Sequence, residues 1–325
     1  MLHRRRRLIQ ALGLMPLAAA SGRARAAWPD RPIRLVVPSA AGGAPDIICR
    51  LLGGELAKAL GQAVVIDNRP GASGNIGMQE VVRAAPDGLT LGYGNVGTLS
   101  INLSLFERLP YQPYTQLAPV ALLGSVQNAL VVRNALPATS VRELIALAKS
   151  QPGKLSMGSA GNGTTGHLGG ELFKSMSGTF IVHVPYRGSP QAINDLIGGQ
   201  VDLMFDNLSS IGPHIRQGRV RALAVSGPRR SPAFPELPTV AEAGLPGYAM
   251  SAWGGIVVPA GTPAPIVARL NTEINAIMTA PALAERWAAL SFEPVSGPPA
   301  RLFELAQREQ PMWADVIRRS GAKVD

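Results

Sequence analysis

The chain has 325 residues, 46% of them hydrophobic, and a formal net charge of +10. The charge is concentrated at one end: residues 1–26 hold six Arg and no acid, and without them 25 basic residues face 21 acidic ones, a net +4. That excess is too small and, apart from Arg229-Arg230 and Arg318-Arg319, too dispersed for a nucleic-acid binder, while it suits attraction of small anions.

Residues 1–26 read as an export signal. Arg4-Arg5-Arg6-Arg7 forms a basic start, Leu8–Ala20 an apolar stretch too short to span a bilayer comfortably, and Ala24-Arg25-Ala26 an A-x-A cleavage site. Arg5-Arg6-Arg7-Leu8-Ile9-Gln10 also resembles a twin-arginine signal, with Arg23 and Arg25 leaning the same way; Sec and twin-arginine export both stay open. Either route points to a periplasm. The roughly 300 residues that follow are long enough for two domains. Cys49 is the single cysteine, which excludes an intramolecular disulfide, and its apolar helical setting suits a buried structural thiol.

Short β-rich runs alternate with helical patterns almost throughout, the mark of an α/β fold with mainly parallel sheets. Ile33–Pro38 reads as a strand, Asp46–Leu60 as a helix stopped by Gly61, and Ala63–Asn68 as a strand. A helix over Ile76–Ala85 leads through Pro86-Asp87-Gly88 to the strand Leu89–Tyr93, and Val120–Leu123 and Leu130–Val132 are further strands. Ser140-Val141-Arg142-Glu143 is a capping box. Leu155–Gly158 is a strand, Thr165–Met176 a helix and Phe180–Val184 a strand. Ser189-Pro190 gives an N-cap and first-turn proline to a helix ending at Gly198-Gly199. Strands at Val201–Phe205 and Val220–Val225 flank a helix near Ile211–Gln217, and the Pro- and Gly-rich Pro228–Gly247 reads as a crossing segment. Gly255–Val258 is a strand, Pro263–Thr279 a helix, and Pro299–Ser320 a last helix kinked by Pro311.

Two glycine-rich turns of one design stand out: Ser39-Ala40-Ala41-Gly42-Gly43-Ala44-Pro45-Asp46 and Gly161-Asn162-Gly163-Thr164-Thr165-Gly166-His167. Each follows a strand and opens a helix, so free backbone N–H groups and a positive helix end face outward, an arrangement that receives anions. Asp46 reads as a helix N-cap rather than a ligand contact. His167, one turn inside its helix, either braces the turn or touches the ligand. Asn68–Asn75 is a polar loop that either rims a cleft or lies on the surface. Gly92-Tyr93-Gly94-Asn95-Val96-Gly97 matches G-x-G-x-x-G, but no acidic residue follows at the distance of a ribose contact; Thr98 beside it is a cleft candidate. Arg187 could meet a carboxylate or be solvated. Asp206, ending a strand, would discourage a second negative charge or accept an amine or hydroxyl.

Catalytic signatures are missing. Met157 stands where a G-x-S-x-G elbow around Ser159 needs glycine, and His167, His183 and His214 show no metal-ligand spacing. Neither a cofactor nor a metal is expected, and no catalytic residue is assigned.

Taken together, Arg31–Pro38 with Gly42-Gly43, Asn68-Arg69-Pro70-Gly71, Pro86-Asp87-Gly88, Gly161–His167, Val184–Gly188, Asp195–Asp202 and Pro259–Pro263 resemble the Bug-type substrate-binding proteins of tripartite tricarboxylate transporters, over essentially all of Trp28–Ala322. The resemblance implies a two-lobed periplasmic binding protein of the type II, flytrap kind. One lobe would comprise residues 27–130 plus 250–325 and the other 131–249. In the family the first glycine turn holds a ligand carboxylate through backbone groups and water, and the second turn approaches from the other lobe. The ligand-binding candidates are accordingly Ser39, Ala41, Gly42, Gly43, Thr98, Gly161, Asn162, Gly163, Thr164, Thr165, His167 and Asp206. This chain departs from the family in its first turn, where Ser39 and Ala41 replace a common aromatic and proline, which leaves pocket size and ligand identity open. The expected function is capture of a small carboxylate, such as a dicarboxylate, an aromatic acid or an acidic amino acid, by a monomer serving membrane transporter subunits. The alternative is a ligand-dependent sensor signalling to a membrane receptor; a hydrolase using Ser159 or Cys49 is a third, weaker reading.

Overall fold

The computed structural model describes residues 28–324; the residues read as an export signal lie outside them. The strands, in chain order, are β1 (Ile33–Val37), β2 (Val64–Asn68), β3 (Thr90–Asn95), β4 (Leu117–Val126), β5 (Asn128–Val132), β6 (Ser156–Ser159), β7 (Val182–Pro185), β8 (Leu203–Asn207), β9 (Arg221–Val225), β10 (Ala252–Pro259) and β11 (Phe292–Pro294). They form two sheets, ordered β11-β4-β10-β3-β1-β2 and β7-β6-β8-β5-β9.

Both sheets are mixed rather than mainly parallel. β1 pairs in parallel with β2 and β3, and β6 with β7 and β8, as strand-helix-strand units require. The remaining pairings, those of β10 with β3 and β4, β11 with β4, and β5 with β8 and β9, are antiparallel. β4, β5, β9 and β10 carry the chain between sheets: β5 and β10, which enter a sheet after a crossing, run against the helix-connected strands, while β4 and β9, which leave, run with them.

The chain leaves the first sheet at Val126 and joins the second at Asn128, which pairs with Asn207. The expected division at 130/131 therefore falls inside β5, and Gln127 is the crossover. The return crossing runs between β9 and β10 through the Pro- and Gly-rich stretch. Helices cover both faces of the sheets. Along β1, Ile33, Leu35 and Val37 pack into one buried cluster and Val36 into the other, the alternation of a strand covered on both sides. The last helix, Arg301–Ser320, continues through Pro311 and packs on β4 and on the helix Thr165–Ser177 of the other lobe.

Helix ends follow local rules. Gly61 (φ 68°) and Gly178 (φ 64°) adopt the left-handed conformation that closes a helix at little steric cost to glycine. Ser140 caps its helix by accepting the Glu143 N–H, but Glu143 reaches back to Thr139 instead of Ser140. The short β11 and the helices over Pro281–Ala289 lack a sequence signal and were not anticipated. Among the described residues no helix is long and apolar enough to cross a membrane.

Candidate functional site

The first glycine turn leaves β1 and enters the helix Ala44–Leu60. Gly43 is its N-cap, in extended conformation, and Gly42 has φ 79°. Asp46 is thus not the N-cap. It sits one turn inside, is buried, and reaches back to accept the Gly42 N–H at 2.8 Å and the Arg50 Nε–H at 3.0 Å. Burial alone would raise its pKa, but those donors outweigh burial and hold the carboxyl below its usual value. The turn is therefore pinned by an ionised carboxylate directed away from the cleft.

The second turn follows β6. Gly161 (φ 126°) and Gly163 (φ 72°) supply conformations other residues resist. Thr164 is the N-cap of the helix Thr165–Ser177: its Oγ1 accepts the His167 N–H at 3.3 Å and donates to Gly161 O at 2.7 Å. His167 Nδ1 accepts the Gly163 N–H at 3.1 Å. Its ring stacks on His183 with centroids 4.1 Å apart, and His183 Nε2 lies 2.7 Å from Ser159 Oγ. Burial lowers the two imidazoles to about 3 and about 4, so both are neutral at pH 7. His167 braces the turn.

The two turns and four further loops enclose a cavity of about 430 Å³ between the lobes. Five residues on its wall, Gly43, Gly74, Thr164, Gly188 and Asn207, are the N-caps of five α-helices, Ala44–Leu60, Asn75–Val82, Thr165–Ser177, Ser189–Ile197 and Leu208–Arg216. Each helix start carries unshared N–H groups and a partial positive charge, so the cavity is electropositive with few cationic side chains. Its charged lining residues are Arg187, which is exposed, and Asp206.

Asp206 is buried at the end of β8. Ser189 Oγ donates to it, and so does Ser210 Oγ at 2.6 Å, yet burial dominates and pushes its carboxyl up to about 6. Ser189 is therefore not the N-cap of its helix. Gly188 takes that place, and the serine hydroxyl goes to Asp206.

Of the residues anticipated from sequence, Ser39, Gly43, Gly161, Asn162, Gly163, Thr164, Thr165 and Asp206 line the cavity. Ala41 and Gly42 are exposed outside its wall, and His167 is behind the second turn. Thr98 is also behind the wall: its N–H and Oγ1 exchange 3.0 Å hydrogen bonds with Asn95, which does line the cavity. Pro70–Gly74 of the polar loop form part of the rim. Tyr93 lies in the Gly92–Gly97 stretch that the sequence offers as a cleft candidate but is not singled out there, and sequence reasoning missed Trp253 and Phe292, at the starts of β10 and β11. Position gave no signal for those two, since ligands gather at the carboxyl ends of strands and these residues stand at the opposite ends of theirs. Among the described residues no group of three or more His, Cys, Asp or Glu could hold a metal ion.

Residues 48–322 match the family described as tripartite tricarboxylate transporter family receptor. Protein BugT of Bordetella pertussis is 38% identical over 298 residues, covering 91% of each chain. Two solved structures are similar throughout. Rpa4515 of R. palustris with adipate has a TM-score of 0.89 at 39% identity, covering 90% of this chain and 98% of that one. MatC of Rhodopseudomonas palustris with bound malate has a TM-score of 0.85 at 35% identity, covering 89% and 100%.

Proposed function

The chain belongs to the tripartite tricarboxylate transporter receptor family, and from that premise we propose that it captures a small carboxylate between its lobes and delivers it to the membrane subunits of such a transporter. The observation that carries this reading is the meeting of five helix N-termini on one cavity. Backbone dipoles and amides fixed by the fold stabilise an anion without the desolvation cost of burying a lysine or arginine beside it. The adipate and malate held by the two similar structures are small carboxylates of the kind such a cavity receives.

In this proposal Ser39, Gly43, Gly161, Asn162, Gly163, Thr164 and Thr165 contact the ligand or its waters. Asp206 bounds the site, and Ala41, Gly42, Thr98 and His167 shape its loops from behind. The lobes, 27–130 with 250–325 and 131–249 as adjusted at Gln127, move about the two crossovers, and closure is favoured by the ligand's better fit to the closed form. The exported chain works as a periplasmic monomer without a cofactor. No catalytic role is assigned: Ser159 Oγ is held by Gly161 and His183 and lies outside the cavity wall, and Cys49 is buried, which pushes its thiol pKa up.

A thermal-shift screen of carboxylates on the exported form, followed by calorimetry, tests the reading. Adipate, malate, aromatic acids and acidic amino acids are compared with uncharged solutes of equal size. At 100 times Kd a ligand stabilises by about 2.7 kcal/mol, a shift easily seen. The expected outcome is stabilisation by one or more acids; a response confined to uncharged solutes would sink the carboxylate assignment.

A further inference from the structure

The chain has five tyrosines, and four of their hydroxyls have a protein acceptor. Tyr111 donates to Thr98 O, Tyr114 to Leu99 O, Tyr186 to Asp195 Oδ2 and Tyr248 to Gly169 O, each at 2.7–3.0 Å. The fifth, Tyr93, is 4% exposed and lines the cavity, and its hydroxyl bonds to no protein group among the described residues. Its oxygen is not sealed in protein but opens onto the cavity, so a hydroxyl that the fold pairs in the other four tyrosines is left here for a group in the cleft. The fold also makes room for this one: a Cβ placed on Gly254 would stand 2.1 Å from the Tyr93 oxygen.

Of the strand neighbours of that oxygen, Asn95, the cross-strand partner of Gly254, is polar and the rest are apolar. Two residues along β10 from Gly254, on the same face, is Ala252, which pairs across strands with Val126, and Val126 pairs with Phe292. All three line the cavity, as does Ile48. The cavity's charged residues, Arg187 and Asp206, belong to the opposite lobe, and the helix N-caps stand at the loops rather than on this row. The one titratable neighbour felt by Tyr93 is the buried Cys49, and burial pushes the phenol pKa up, so the hydroxyl keeps its proton.

We propose that Tyr93 is a specificity-determining residue of the cleft, donating a hydrogen bond to an uncharged oxygen at the far end of a carboxylate whose apolar body lies along Val126, Ala252 and Phe292. This rests on the carboxylate reading above and narrows it. A second carboxylate at that end would meet the phenol and at most the Asn95 amide but no cation, and an ionised group so placed loses more hydration than such neutral donors return. An apolar end would leave the phenol unpaired. A hydroxyl, carbonyl or amide oxygen satisfies it.

Calorimetry on the exported form with matched acids tests this. One set is hexanoate, 6-hydroxyhexanoate and adipate; a shorter, rigid set is benzoate, 4-hydroxybenzoate and terephthalate. In the set whose length fits, the hydroxy acid is expected to bind at least about tenfold tighter than both its apolar and its diacid counterparts. Tyr93→Phe is expected to erase the preference over the apolar acid while leaving that acid's own Kd within about threefold, which also shows that the variant is folded. The wild-type ranking alone carries the test should the variant fail to fold. A hydroxy-to-apolar ratio unchanged in Tyr93→Phe, or tightest binding of the diacid, overturns the assignment and leaves the carboxylate reading standing. Absence of binding by every acid in both sets overturns the assignment, and the carboxylate reading falls with it only if the wider acid screen is also blank.

Discussion

Asp206 places a buried carboxyl on the wall of a cavity otherwise arranged for anions, with burial raising it to about 6. A bound carboxylate adds a second negative charge nearby, and like charges at close range raise a carboxyl pKa by about one to three units. Ligand binding above pH 6 is therefore expected to draw a proton onto Asp206, and affinity for anions is expected to rise as pH falls from 8 to 6. The histidines behind the second turn titrate at about 3 and about 4 and do not interfere in that range. Calorimetry in buffers of different ionisation heat reads the proton directly. Asp206→Asn keeps an acceptor for Ser189 and Ser210 but has no charge. It is expected to bind acids about threefold to tenfold tighter at pH 8 and to show no buffer-dependent heat. Proton uptake that persists undiminished in Asp206→Asn would place the titrating group elsewhere.

The second turn is an element held by two neutral imidazoles, and this ties its stability to pH. Their folded pKa values lie below the unfolded value of about 6.5, so between pH 6.5 and 4 the unfolded chain binds protons that the native chain refuses. Each histidine then removes up to about 1.4 kcal/mol per pH unit as pH falls through that window. Asp206 acts oppositely: its raised pKa adds stability on acidification from 6 to about 4 and offsets one histidine. Thermal melts are expected to show Tm falling from pH 6.5 to 4.5, and less steeply in His183→Gln, whose amide can still meet Ser159. A Tm that does not fall in this range would show that the rings are protonated in the native state. Both jaws were legible in the sequence because a glycine-rich turn follows a strand and opens a helix in each case, with threonines and an early helical histidine added in the second. The caps were legible only to within a few residues. Ser189 had the hydroxyl and the proline of an N-cap, but Asp206, which is 17 residues further on, draws that hydroxyl away and Gly188 takes the cap. Trp253 and Phe292 carried no signal, since strand alternation cannot distinguish a residue covered by core from one facing a cleft. Nor could alternation show that β5 and β10 run against the helix-connected strands of their sheets, because that follows from where the chain crosses between lobes.

At the scale of the whole molecule, the lobes meet through backbone stripped of side chains. A Cβ on Gly188 would stand 2.5 Å from the Ala40 Cβ in the opposite lobe, and one on Gly42 would touch Pro190 at 3.4 Å. On the far side of the cleft, Gly163 approaches Asn102, Leu105 and Ser73, with no room for a methyl group against Leu105. Gly188 has φ 170°, an extended conformation open to any residue, so its requirement for glycine comes from the opposing lobe and not from its own backbone. Gly188→Ala is therefore expected to fold normally and to hold the jaws apart. A 2.5 Å carbon–carbon approach is far inside contact distance, so the lobes must separate by more than an ångström before helix N-termini from both can share one anion. The expected result is a Kd weakened at least about tenfold, or roughly 1.4 kcal/mol, and, in small-angle scattering, a wild type that contracts on adding ligand beside a variant that does not. Adding Ala40→Gly removes the opposing carbon and should restore both. Rescue by a residue in the other lobe separates a steric block on closure from a local fault in the loop, because a damaged 188 loop has no reason to recover when residue 40 is trimmed. If Gly188→Ala binds and contracts like the wild type, the closed form does not depend on this contact, and closure would have to be set at the Gly163 side of the cleft instead.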